Sequence, residues 1–163
     1  MSSSPSAESS EAVLDTIAGM LLHPPQELAV EHARLFGGLR HGFGLEPPYE
    51  SVWRGEHRVM GQATQAVAAA YAQAGAALAD PRIPADHVGF ELTFLAHLLG
   101  SSDPRAEGWL RAFLDEHVLA WVPEWCRAVG AADPGGAYGQ LAAILLPFVE
   151  EVADAVATAA PRG

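Results

Sequence analysis

The sequence contains no lysine, and all nine of its strongly basic residues are arginine. A chain without lysine cannot supply the lysine of a phosphate-binding P-loop, a Schiff base or a serine–lysine dyad. Cysteine is almost absent too, because Cys126 stands alone, and one chain can therefore form neither an internal disulfide nor a multi-thiolate metal site. This cysteine usage is typical of the reducing cytoplasm, where we expect the protein to work.

Positive charge of any kind is scarce in this chain. With 20 acidic residues and a formal net charge of −11, nucleic acid and anionic membranes are poor partners, and a basic partner is favoured. Long hydrophobic runs are missing as well: the best candidate, residues 141–149, is short and contains Pro147, so we expect no stable membrane insertion. Residues 1–10 are rich in serine and lack the positive n-region of an export signal, and we predict that they form a flexible tail.

Apolar residues recur at helical spacing along most of the chain, most clearly over residues 138–156, and no segment is typical of a β-strand. We therefore predict an all-α fold, a compact single domain of about seven helices spanning residues 11–163. The proline-containing connector near residues 79–86 predicts two lobes joined by a hinge. One long helix is expected over residues 51–78.

The turn Pro84-Ala85-Asp86-His87 leads directly into an apolar helix and is the most distinctive feature of the chain. Asp86 is well placed as the N-cap of this helix, because its carboxylate can accept hydrogen bonds from the free amides of the first turn. His87 and Glu91 then share one helix face at i, i+4 spacing. A capping aspartate followed by a surface histidine is common in helices, so the pattern alone favours a structural role over a functional one.

Neither a metal site nor a catalytic site is predicted, and we expect no cofactor. The densest group of metal-ligand residue types is His87, Glu91 and His97, but His97 lies about 80 degrees round the helix from His87. No serine stands in a Gly-x-Ser-x-Gly elbow, and no Glu-x-x-His pair supports a di-iron bundle. The protein is therefore not expected to be an enzyme.

The four tryptophans fall into two groups. Three lie among helical apolar residues and are expected in the core: Trp109, Trp121 and Trp125. Trp53 instead follows a proline-rich segment that also contains Tyr49. Carboxylates flank these two rings at Glu50 and Glu56, and aromatic faces beside carboxylates are what arginine recognition requires.

Three blocks of the sequence carry a resemblance to a known family. The central block, residues 84–95, reads Pro-x-Asp-His-hydrophobic-x-x-Glu-Leu-x-Phe-Leu. The upstream block is Pro-Pro-Tyr-Glu-Ser-Val-Trp at residues 47–53, followed by Met60, Gly61 and Thr64. The downstream block consists of Phe113, His117, Trp121 and Pro123. In this order they resemble the TorD/DmsD family of molybdoenzyme-specific chaperones, to which NarJ-type proteins are related; the chain departs from that pattern at Ile83, where the family has an acidic residue.

The resemblance implies a cytoplasmic chaperone that is not an enzyme. Its partners would be the apo catalytic subunit of a molybdopterin oxidoreductase and the twin-arginine leader of that subunit, with a homodimer also possible. The chaperone would prevent premature export and assist cofactor insertion. The residues expected on the peptide-binding surface are Pro48, Tyr49, Trp53, Gly61, Asp86, His87 and Glu91. In this scheme Asp86 and Glu91 face arginine, and His87 makes the site sensitive to pH.

Two other functions remain open at this stage. An adaptor for a different helical peptide would use the same peptide-binding surface without a leader. A small nucleotide-binding hydrolase using His87 with Asp86 or Glu91 is disfavoured, because the chain has neither a lysine nor a glycine loop for phosphate. If the lobes move about the hinge, contacts at Asp86 and His87 change, and replacing both by alanine is then expected to weaken leader binding at unchanged helix content.

Overall fold

The computed structural model describes residues 6–38, 42–56 and 61–159. Within these residues the fold consists of α-helices, of which seven have eight or more residues and one has four: α1 (Ala7–Leu22), α2 (Ala29–Phe36), α3 (Glu50–Trp53), α4 (Gln62–Gln73), α5 (Val88–Leu99), α6 (Ala106–Phe113), α7 (Leu119–Ala132) and α8 (Ala137–Thr158). Two-residue strands β1 (Gly37–Gly38) and β2 (Gly42–Phe43) form an antiparallel pair, and a wide π-helical turn (Leu114–Val118) joins α6 to α7. The predicted all-α class is confirmed.

The first helix begins earlier than the sequence pattern indicated. Residues 7–10, predicted to belong to the tail, are the first turn of α1. Ser6 caps this turn, with its hydroxyl oxygen accepting from the Ser9 amide at 3.3 Å, and Glu8 adds a negative charge near the positive end of the helix dipole. Residues 1–5 lie outside the described residues.

The long helix expected over residues 51–78 is wrong, because two separate helices occupy this region. The short helix α3 ends at Trp53, and Gly55 follows with a φ of 81°, a conformation that ends a helix and that glycine adopts without strain. The longer helix α4 then starts at Gln62 with Gly61 as its N-cap. This break lets α3 fold back against α4 and pack against α7 as well.

Helices from both sides of the connector near residues 79–86 build one core. The central helix α5 packs along α1, and Gly89 lies so close to Leu22 that a Cβ atom there would clash with the leucine side chain. Leu14 of α1 and Leu92 of α5 are both fully buried in the same apolar cluster. The two predicted lobes thus share a core, and the hinge motion stays a prediction.

The tryptophans expected in the core lie where the pattern indicated. Trp121 and Trp125 are fully buried, and Trp109 is half-buried with the Arg105 guanidinium 4.8 Å from its ring centre. Burial raises the pKa of the neighbouring Cys126 thiol to about 12, so this cysteine is an inert packing residue. No helix among the described residues is long and apolar enough to cross a membrane.

Candidate functional site

Asp86 lies in the core and ties together segments that are distant in sequence. Its fully buried carboxylate accepts from the Ser51 amide at 2.9 Å, from the Ser51 hydroxyl at 2.6 Å and from the Thr64 hydroxyl at 2.9 Å. The connector is thereby joined to both α3 and α4. The predicted N-cap role of Asp86 is wrong, because its carboxylate turns away from α5 toward these donors. As placed, it cannot face an arginine of a partner directly.

His87 is the residue that caps α5. Its Nδ1 accepts from the Gly89 amide at 3.0 Å, and its ring meets the Tyr49 ring edge-on at 5.3 Å. The backbones pair as well, since the Val88 amide donates to the Pro48 carbonyl at 2.8 Å. Burial, with a smaller contribution from His32, lowers the pKa of His87 to about 3. The ring is therefore neutral at neutral pH, and the expected pH-sensitive contact with a partner has no support here.

The buried His87 makes stability depend on pH in a defined direction. Between the unfolded-state pKa of 6.5 and the folded-state pKa of about 3, only the unfolded chain takes up the proton, so acidification destabilises the fold. His87→Asn retains a capping oxygen but does not titrate. Between pH 7 and pH 5 we expect the wild type to lose about 2 kcal/mol relative to this variant. Urea unfolding of both proteins at pH 7 and pH 5 measures this difference. Equal losses of unfolding free energy in the wild type and in His87→Asn would contradict the prediction.

Glu91 is also fully buried and makes its contacts inside the fold. Its Oε2 accepts from the Trp121 indole at 3.1 Å, while Oε1 has no hydrogen-bond partner in the part of the chain that the structure describes. Burial raises the pKa of this carboxyl well above its usual range, and the neighbouring Glu50 carboxylate raises it further. Glu91 therefore holds its proton to a higher pH than an ordinary glutamate does. Its predicted role of facing arginine is not supported, since the side chain has no exposed surface through which it could contact a partner.

The other residues predicted for the peptide-binding surface lie around the turn at residues 84–87, which we call the hinge motif. Among the described residues they do not line one open pocket together. Pro48 is buried, whereas Tyr49 and Trp53 are half-buried. The Trp53 indole donates to the Pro47 carbonyl at 2.7 Å, which leaves the side chain folded back on its own segment. Gly61 stands at the start of α4. The structure therefore brings Pro48 and Tyr49 against His87 but turns this group into the protein, and Met60 of the upstream block lies outside the described residues.

A buried hydrogen-bonded pair that sequence reasoning missed links α3 to the π turn. Glu50 has no exposed surface, and Nδ1 of His117 lies 3.0 Å from both of its carboxylate oxygens. Nη1 of Arg54 lies 3.4 Å from Glu50 Oε1 and donates to the Glu116 carbonyl at 2.8 Å. Glu50 and His117 are 67 residues apart, so no local pattern could have paired them. The only indication in the sequence was that Glu50 belongs to the upstream block of the family resemblance and His117 to the downstream block.

An open groove of about 1270 Å³ is lined in part by His117 of this pair. One wall is the small-residue face of α4, which contributes Ala63, Ala66, Ala69, Ala70 and Ala72. The opposite wall is formed by residues 115–117 and 120. Carboxylates of Glu56, Asp115 and Glu116 line the groove, together with Arg54 and His117. We call this feature the α4 groove; it combines a small apolar wall with an acidic edge.

One carboxylate of the α4 groove is incompletely paired. Glu56 Oε1 accepts from the Ala63 amide at 2.9 Å and so holds the first turn of α4. Its other oxygen, Oε2, is buried and has no hydrogen-bond partner among the described residues. Among the same residues, no group of three or more His, Cys, Asp or Glu side chains is arranged for a metal ion. The groove offers carboxylate oxygens beside small apolar side chains.

Comparison with known proteins identifies the class of this protein. The model of the family described as nitrate reductase delta subunit matches residues 4–127. The chain belongs to this family, which includes the TorD- and NarJ-type chaperones, and the resemblance stated from the sequence is confirmed. The matched relatives are named as chaperones rather than as enzymes. No solved structure gives a significant match.

Three curated relatives carry the name chaperone protein TorD. The protein from Aeromonas salmonicida strain A449 is 41% identical over 75 residues, which cover 40% of this chain and 35% of the relative. That from Aliivibrio salmonicida is 31% identical over 75 residues, covering 41% and 35%. The Vibrio cholerae protein is 27% identical over 134 residues, covering 77% and 60%. The matched part of this chain thus spans between 35% and 60% of the length of these relatives.

Proposed function

We propose that the protein is a cytoplasmic chaperone for the apo catalytic subunit of a molybdopterin oxidoreductase, and that it binds the twin-arginine leader of that subunit in the α4 groove. The observation that carries this proposal is the groove itself, an alanine wall beside carboxylates in a member of a chaperone family. Holding the leader would keep the apoenzyme from export while its cofactor is inserted.

The shape and charge of the α4 groove suit such a leader. A twin-arginine leader joins a basic segment to an apolar segment, so its receptor needs an acidic edge next to an apolar surface that can hold a helix. Alanine side chains on α4 let a helix backbone approach closely, while Glu56 and Glu116 lie within the same groove. The net charge of −11 adds long-range attraction for a basic peptide.

The hinge motif has an indirect part in this function. Asp86 holds α3 and α4 together, and His87 fixes the start of α5 against Pro48, so the motif keeps the walls of the groove in place. We propose that the predicted residues Asp86, His87 and Glu91 support the groove from inside the fold, and that the partner contacts α4 and the π turn instead. A homodimer and a hinge motion remain predictions.

Calorimetric titration with the twin-arginine leader of the molybdoenzyme encoded nearest in the genome tests this function. We expect saturable binding that weakens at higher salt and with a twin-lysine leader. Ala69→Leu should weaken binding about tenfold or more, because the larger side chain fills the groove. Ala69 is exposed, so the fold should tolerate this change.

Ala143→Leu is the matched control, since Ala143 is exposed on α8 and does not line the α4 groove. Equal affinity of the wild type and Ala69→Leu would exclude the groove as the binding site. Equal affinity for a helical peptide without arginine would favour the adaptor function over the leader chaperone. Absence of any leader binding would refute the leader-binding proposal.

A further inference from the structure

One guanidinium already occupies the acidic part of the α4 groove, and it belongs to the chain itself. Arg54 lines the groove with 43% of its side chain exposed. Its Nη1 atom donates to the Glu116 backbone carbonyl at 2.8 Å and lies 3.4 Å from the Glu50 carboxylate. The groove thus contains a set of oxygen acceptors that a guanidinium can use.

Among the described residues around Arg54, carboxylates outnumber its single guanidinium. Glu56, Asp115 and Glu116 line the groove, and Glu50 lies behind Arg54. The buried Oε2 of Glu56 has no hydrogen-bond partner among the described residues. An arginine from a bound peptide would therefore still meet carboxylates of the described residues in the groove with Arg54 present.

The contacts that hold Arg54 are weak for an arginine. Only one nitrogen of the guanidinium makes hydrogen bonds that the structure records, and the approach to Glu50 is long. Strong arginine–carboxylate pairs use two parallel hydrogen bonds, whereas single-point, partly exposed pairs at i, i+4 spacing contribute little to stability. Glu50 also keeps His117 as a partner, so it does not depend on Arg54 alone.

We propose that Arg54 occupies, in the unbound chain, the place that an arginine of a bound basic helix takes, and that the incoming arginine displaces it. This inference rests on the proposed function for the identity of the partner. The exchange swaps one guanidinium for another, so the Glu116 carbonyl and the Glu50 carboxylate keep a donor throughout. It also predicts a preference for arginine over lysine, because a compact ammonium cannot reproduce the planar, forked donors of the group it replaces.

The exchange is tested by comparing leader affinities of Arg54 variants by calorimetry at one ionic strength. Removing the internal competitor in Arg54→Gln is expected to tighten binding about fivefold or more. Arg54→Lys should bind more tightly than the wild type but less tightly than Arg54→Gln, because lysine keeps the charge and loses the forked geometry. Arg82→Gln is the control: it changes net charge equally, but Arg82 is exposed and lies outside the groove.

Unchanged or weaker binding by Arg54→Gln, at a wild-type melting temperature, would overturn the exchange and leave Arg54 a structural residue. Equal tightening by Arg82→Gln would also overturn it, since net charge alone would then explain the effect. If Arg54→Gln does not fold, the leader affinity of Arg54→Lys provides the test. Tighter binding than that of the wild type supports the exchange, and equal or weaker binding refutes it.

A small probe separates failure of this inference from failure of the proposed function. N-acetylarginine amide is titrated while the ring signals of His117 are followed by NMR. Larger shifts in Arg54→Gln than in the wild type support the proposal that Arg54 competes with a bound arginine. If these larger shifts are seen but no leader binds, only the leader-binding proposal is refuted. Equal shifts in the two proteins overturn the proposal that Arg54 competes, even if the leader binds.

Discussion

Replacing Asp86 by alanine is expected to lower the free energy of unfolding by about 3 to 4 kcal/mol. The reason is that its buried carboxylate accepts three hydrogen bonds, two from Ser51 and one from Thr64. After truncation, two hydroxyls and an amide lose their acceptor inside the protein, and each buried unpaired donor is costly. Asp86→Asn should be milder but still destabilising, because its amide nitrogen would face a donor.

Urea unfolding followed by circular dichroism measures this loss. Asp80→Ala is the matched control, since Asp80 lies in the same connector but pairs with the exposed Arg82, and a surface pair of this kind contributes little to stability. Equal effects of the two alanine variants would contradict the structural role of Asp86. The result also bears on the double replacement of Asp86 and His87, which we now expect to reduce stability as well as leader binding.

Glu91→Gln is expected to make the protein more stable than the wild type by an amount that grows as the pH rises. In the wild type the folded-state pKa of Glu91 is raised by burial and by Glu50, so the folded chain keeps a proton that the unfolded chain loses above its usual pKa of 4.5. Stability from this group is complete below that value and is lost as the pH rises toward the folded-state pKa, by up to about 1.4 kcal/mol per pH unit. Glutamine mimics the protonated acid and does not titrate.

Unfolding free energies of both proteins at pH 5, 6, 7 and 8 provide the test, and the informative quantity is their difference at each pH. Other titrating groups, including His87, affect both proteins equally and cancel in that difference. Glu124→Gln serves as a control for the same replacement at a position that is exposed on α7. A difference between wild type and Glu91→Gln that stays constant over this range would show that Glu91 is ionised in the fold.

Much of the fold followed from local patterns in the sequence. The apolar period of 138–156 predicted the last helix, which the structure gives as Ala137–Thr158 and which continues through Pro147. The break between α3 and α4 was missed, because the alanine-rich segment after it favours helix so strongly that the turn at Gly55 was overlooked. The resemblance also identified the family, since it rested on three blocks in order and not on one motif.

The candidate site was harder to predict, and the reason is visible in three residues. Asp86, His87 and Glu91 stand in a polar turn and at helical spacing, and nothing local distinguishes a partner-facing carboxylate from one that faces the core. The structure buries all three. The α4 groove, by contrast, was not anticipated, because alanines on α4 carry no chemical signature and its carboxylates come from segments far apart in the chain.

Composition and periodicity alone were enough to establish an acidic, lysine-free, helical protein, because charge counts and apolar spacing are properties of the chain that folding does not alter. The direction of the pKa shift of Glu91, the partner of Glu50 and the location of the groove depended on which helix faces meet. Burial shifts a pKa, and a hydrogen bond between side chains needs two atoms within about 3 Å. Both therefore follow from contacts between residues such as Glu50 and His117, which lie 67 positions apart.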